Sequence, residues 1–149
     1  MPTEDVEQES TGFTAEERAA MKERAAELRA EGRRGAKRAD GLQAVLDRIA
    51  AMDPGDRALA ERVHVVVTTH APHLAPRTWY GMPAYADADG KVVVFFQDAG
   101  KFGSRYATLG FNDPARLDDG DLWPVSFALT GWSPEVEERV TALVRTATA

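Results

Sequence analysis

The side chains with the most evident chemistry fall into three groups: an acidic stretch, three histidines, and an aromatic segment with a lysine some twenty positions on. Asp118, Asp119 and Asp121 surround Gly120, with Asp113 nearby. Carboxylate oxygens are hard donors suited to calcium, magnesium or weakly held iron, so Asp118, Asp119 and Asp121 are the candidate metal ligands. A solvated acidic turn has the same composition. Of the histidines, His64, His70 and His73, the last two are three apart, but Pro72 lies between them and no single helix face can present both. His70 falls on the apolar side of its segment and is expected to pack there. The chain has no cysteine. That excludes disulfides, a thiolate nucleophile, cysteine-held zinc and cysteine-ligated iron–sulfur clusters. No serine, histidine and carboxylate form a nucleophile motif, and no glycine-rich phosphate loop follows a strand. These absences make a binding protein the expectation rather than an enzyme.

The third group is Tyr80, Met82 and Lys101. An aromatic ring, a polarisable thioether and an ammonium suit a flat anionic ligand or a partner's apolar patch. Gly81 leaves room for close approach, and Pro83 biases Met82 towards extended geometry. These residues are expected on the sheet face turned away from the helices. Their alternative place is the core, or a face covered by a second copy or by an N-terminal helix.

The elements that must position these groups follow from periodicity. Leu42, Val45, Leu46 and Ile49 stand at helical spacing behind Asp40, a candidate cap. Asp53 and Pro54 open a second helix that carries Leu59, Val63, Val66 and Val67. Residues 63–69 are β-branched and strand-like by propensity, but the capping and spacing predict helix. Residues 78–85, 92–96 and 102–111 read as strands joined by the short turns 87–90 and 98–100, hence as antiparallel hairpins. Residues 122–129 form a further strand, and Pro124 within it implies an edge strand or a bulge. Ser133 and Pro134 start a terminal helix with Val136, Val140, Leu143 and Val144 on one side. Helix, helix, sheet, helix is an α+β layer: an antiparallel sheet of four to five strands with helices on one face.

At 149 residues and 44% hydrophobic content, the chain can fill one core. Large apolar residues are sparse before position 40, so a domain over 40–149 is expected to follow an N-terminal appendage over 1–39. Within that appendage Thr14 and Glu17 form a capping-box pattern, and Met21, Ala25 and Leu28 make a narrow stripe. Arg33, Arg34, Lys37 and Arg38 form a basic arm (residues 33–38) that could contact phosphates. A net charge of -6 argues against nucleic acid as the main partner. No segment approaches the length of a membrane helix and the acidic start is unlike a signal peptide, so a cytoplasmic protein is expected.

Several motifs recur together in order. Tyr80-Gly81-Met82-Pro83-Ala84-Tyr85 is followed by Gly90-Lys91 and the strand 92–96. Then come Ala107-Thr108-Leu109-Gly110-Phe111, Leu117 to Pro124 with Trp123, and Phe127-Ala128-Leu129. Over residues 41–146 the chain resembles the YdhG-like family of small bacterial domains. That resemblance implies a fold of the YjbR and frataxin-like group. It also implies, from some members, an iron-chaperone role beside iron–sulfur assembly proteins, with iron held weakly. Other members are described as DNA-binding. No ligand of the family maps onto a particular position here.

Overall fold

The computed structural model describes residues 14–34 and 38–149. The helices are α1 (Ala15–Arg34), α2 (Arg38–Ala50), α3 (Pro54–His70), a single turn α4 (Ala99–Phe102) and α5 (Pro134–Ala147). The strands are β1 (Ala75–Trp79), β2 (Met82–Ala86), β3 (Val92–Gln97), β4 (Ala107–Phe111) and β5 (Ser126–Leu129). All five strands form one open antiparallel sheet in the order β1-β2-β3-β4-β5. The α+β class and the antiparallel pairing of consecutive strands are as the sequence predicts; β5 lies at an edge, but it is shorter than the expected 122–129 and leaves Pro124 outside it, because a proline cannot donate to the ladder.

Two caps work as read. The Thr14 amide donates to Glu17 Oε1 at 2.9 Å and the Glu17 amide donates to Thr14 Oγ1 at 3.0 Å, a reciprocal box. Ser133 Oγ accepts from the Val136 amide at 3.1 Å, with Pro134 in the first turn of α5. Two others do not. Asp40 lies inside the first turn of α2, which begins at Arg38, and the Asp53 side chain makes no cap hydrogen bond. The strand-prone run 63–69 is helical in α3, because Val63, Val66 and Val67 then all reach the core.

One face of the sheet carries the main core. Tyr85, Val94, Phe96, Leu109 and Phe111 meet Val45 and Ile49 of α2, Val63 and Val67 of α3, and Val140 and Val144 of α5. Leu42 and Leu46, expected in that core, are 37% and 40% exposed instead. The reason is that α2 lies on β1 and β2 so closely that a side chain at Gly41 would collide with the Pro76 carbonyl. Only the Val45–Ile49 side of α2 then faces inward.

Two expected strands are reorganised. Residues 78–85 are not one strand: Tyr80 and Gly81, with φ of 52° and 73°, form a two-residue turn between β1 and β2. Tyr80 and Met82 therefore do not alternate along one strand. Residues 102–111 are likewise not one strand. Residues 99–102 form α4, Gly103 ends it in the left-handed region, and β4 starts only at Ala107.

α1 packs against β1 and α4. Among its described side chains the protected ones are Arg18, Ala20, Glu23, Arg24 and Glu27; Met21 and Ala25 of the expected stripe are exposed, and the Leu28 side chain lies outside the described residues. Met82, Ala84 and Ala86 point away from Tyr85 by strand alternation. They are buried, like Ala20, yet stand outside the main core.

Candidate functional site

The end of the sheet that holds the Tyr80–Gly81 turn gathers most of the buried charge. Arg48 reaches from α2 to donate through Nε to the Gly81 carbonyl at 2.7 Å. Its Nη2 contacts both Asp98 oxygens at 3.1 and 3.0 Å. Asp98 is 3% exposed, and burial pushes its carboxyl above the usual carboxylate range while the Arg48 charge pulls the other way. Asp56 of α3 accepts from the Ala99 amide at 3.3 Å and the Gly100 amide at 2.9 Å, which fastens α4 to the start of α3. Lys101 of α4 forms an ion pair with Glu23 of α1. Burial lowers its pKa. A side chain at Gly81 would run into both partners of that pair.

Lys101 therefore does stand beside the Tyr80–Gly81–Met82 segment, though on a helical turn rather than at a strand start. Tyr80 is 37% exposed and stacks edge-on against Trp79 with ring centroids 5.0 Å apart. Met82 is 6% exposed, so it closes the structure rather than presenting a surface. Where Lys101 meets Gly81, the place is already taken by Glu23.

On the other side of α4 lies an open cleft of about 590 Å³. Its walls are the first turns of α3 with Asp53, Asp56, Leu59 and Arg62; Ala99; the approach to β4 with Arg105 and Tyr106; and the exit of β5 with Leu129, Gly131 and Trp132. Arg105 stacks on Tyr106, its guanidinium carbon 5.2 Å from the ring centre. Trp132 is half-buried, and its indole N–H donates to Glu137 Oε1 at 3.1 Å, which fixes the ring plane. Among the described residues neither Arg62 nor Arg105 pairs with a carboxylate. Two aromatic faces, two uncommitted guanidiniums and an apolar floor at Leu59 and Leu129 suit a flat anion.

The remaining candidates lie elsewhere. Asp118, Asp119 and Asp121 are exposed, and among the described residues no three His, Asp or Glu side chains are arranged to hold a metal ion. Of the basic arm, residues 35–37 and the side chains of Arg33 and Arg34 lie outside the described residues. Arg38 is committed to the Pro72 and Leu74 carbonyls at 2.6 and 2.9 Å. His70, expected to pack, is exposed near the end of α3. His64 is instead the structural histidine, its Nδ1 2.8 Å from the Tyr85 hydroxyl. Burial lowers the His64 pKa and raises that of Tyr85, so both are neutral near pH 7. No helix among the described residues is long and apolar enough to cross a membrane. Compared with known proteins, the chain matches no family model, no curated protein and no solved structure.

Proposed function

We propose that this chain is a binding module for a small planar anion, seated in the cleft between α3, α4 and the open ends of β4 and β5. The observation that carries it is the pair of arginines. Arg62 and Arg105 line one cleft without a carboxylate partner among the described residues, in a protein whose net charge is -6. Guanidiniums that make no ion pair, set beside aromatic rings, suit an anion that stacks, with Asp53 and Asp56 on the same walls limiting the charge it can carry.

Benzoate is a suitable probe. A ligand of that size should bind with a Kd of about 1 mM or weaker. In a heteronuclear NMR titration, the amides of Ala107, Thr130 and Gly131 are expected to shift and saturate. The shifts should vanish in Arg62→Ala/Arg105→Ala. Saturable shifts confined to another surface, or none at all, would remove the cleft as the site.

The YdhG-like, frataxin-related membership is a proposal resting on the motifs at 80–85, 90–96, 107–111 and 117–129. The iron-handling role it implies is a separate proposal. Its test is calorimetric titration with ferrous and ferric iron, repeated on Asp118→Asn/Asp119→Asn/Asp121→Asn. Loss of iron binding in that variant would support it.

A further inference from the structure

The cleft between α3, α4 and the ends of β4 and β5 has an acidic end as well as its two arginines. Three carboxylates gather where α4 begins: Asp98 precedes it, and Asp53 and Asp56 lie over Gly100, where a side chain would collide with Asp53 Oδ2. Two of them are matched. Asp98 faces the Arg48 guanidinium, and Asp56 accepts from the Ala99 and Gly100 amides. Asp53 is the one left over. It stands at the N-cap position of α3, yet its side chain makes no cap hydrogen bond, and among the described residues it has no ion pair. Its carboxylate borders the cleft instead, exposed to solvent.

The wall of the cleft therefore changes character along its length. Asp53, Asp56, Leu59 and Arg62 succeed one another at three-residue intervals, and the helical rise puts Arg62 about 13 Å further along the axis than Asp53. Arg105, Tyr106 and Trp132 stand on the other walls. A simple anion answers only the basic part of this lining. Benzoate also leaves most of the 590 Å³ unfilled, a volume in the range that takes drug-sized ligands. Given that the cleft takes a planar anion, as proposed above, we infer that its ligand is bipolar: an aromatic acid with an amine or ring N–H at its far end, the acid group held by Arg62 and Arg105 and the donor by Asp53. A donor placed there meets an acceptor that no other described group uses, and a charged amine also offsets the repulsion between Asp53 and Asp56. A second acid group at that end is rejected by the same two carboxylates.

The test titrates the full chain with benzoate, para-ethylbenzoate and para-aminomethylbenzoate, read by the same amide shifts. The last two are nearly equal in shape, and only the aminomethyl acid carries an ammonium. It should bind about threefold to fivefold more tightly than the ethyl acid, as expected for one ion pair added at an exposed carboxylate. In Asp53→Asn that preference should disappear, because the amide keeps the shape and loses the charge. Should Asp53→Asn lose its fold by circular dichroism, Asp53→Ser, which also suits an N-cap position, takes its place. Equal binding of the two acids, or tighter binding of the ethyl acid, overturns the bipolar ligand and leaves the anion site standing wherever benzoate still shifts Ala107, Thr130 and Gly131. A preference that survives the loss of the Asp53 charge overturns it as well, since the ammonium is then held elsewhere. If none of the three acids shifts those amides, the anion site falls and the bipolar ligand falls with it.

Discussion

Arg48 and Asp98 show how much one buried pair can be asked to hold. The carboxylate is almost wholly out of water, and the same guanidinium also serves the turn at Gly81. Removing one partner leaves the other charge buried and uncompensated, which costs about 3–5 kcal/mol, whereas replacing both by apolar groups is often near neutral. Asp98→Ala should therefore lower unfolding free energy by that order in urea denaturation. Arg48→Met/Asp98→Leu should recover most of the loss. If the double variant is as unstable as the single one, the hydrogen bond to Gly81 rather than the ion pair is the main contribution. None of this is legible in the sequence, because the partners are 50 positions apart and no motif links them. The cleft is hidden for the same reason: Arg62, Arg105 and Trp132 come from separate segments and meet only once the sheet has formed. Lys101 was findable, as a lysine between aromatic strands. Its partner was not, since Glu23 lies 78 residues away.

Among the elements, local patterns that satisfy backbone groups proved readable and those depending on neighbours did not. The capping residues of α1 and α5 act within one turn, so sequence suffices. The turn at Tyr80–Gly81 escaped because its first residue is a tyrosine, where Asn, Asp or Gly would announce a positive φ. The residues before β4 escaped because they alternate like a strand until Gly103 breaks them. Inside the sheet, Phe95 pairs across to Gly110, and its ring occupies the space a side chain there would need. An aromatic ring laid over a cross-strand glycine offsets what the glycine lacks. Gly110→Ala should destabilise by about 1–3 kcal/mol through overpacking. Adding Phe95→Leu should make the alanine better tolerated, so that the double variant loses less than the two single losses summed; strict additivity in thermal unfolding would refute the contact.

For the whole molecule, the order of the sheet has a kinetic consequence. Each strand pairs only with its neighbour in the chain, so the strand pairings are local, from the two-residue turn between β1 and β2 to the longer connection between β4 and β5, and the entropy lost before contacts form is modest. The non-local closures are made by the helices, among them α2 onto β1 and β2, α3 onto α5, and α1 onto β1 and α4. Folding should be fast for a chain with this much sheet, on the order of milliseconds. Its transition state should already contain the central hairpin of β3 and β4. Leu109→Ala is then expected to slow refolding in a stopped-flow chevron, while Val144→Ala, at the α3–α5 contact, should mainly speed unfolding. The opposite pattern would mean that the helices assemble first and the meander condenses onto them. In the expected order, the helix-covered face is the last to seal, and the chain spends its slowest moments as a bare sheet waiting for its lid.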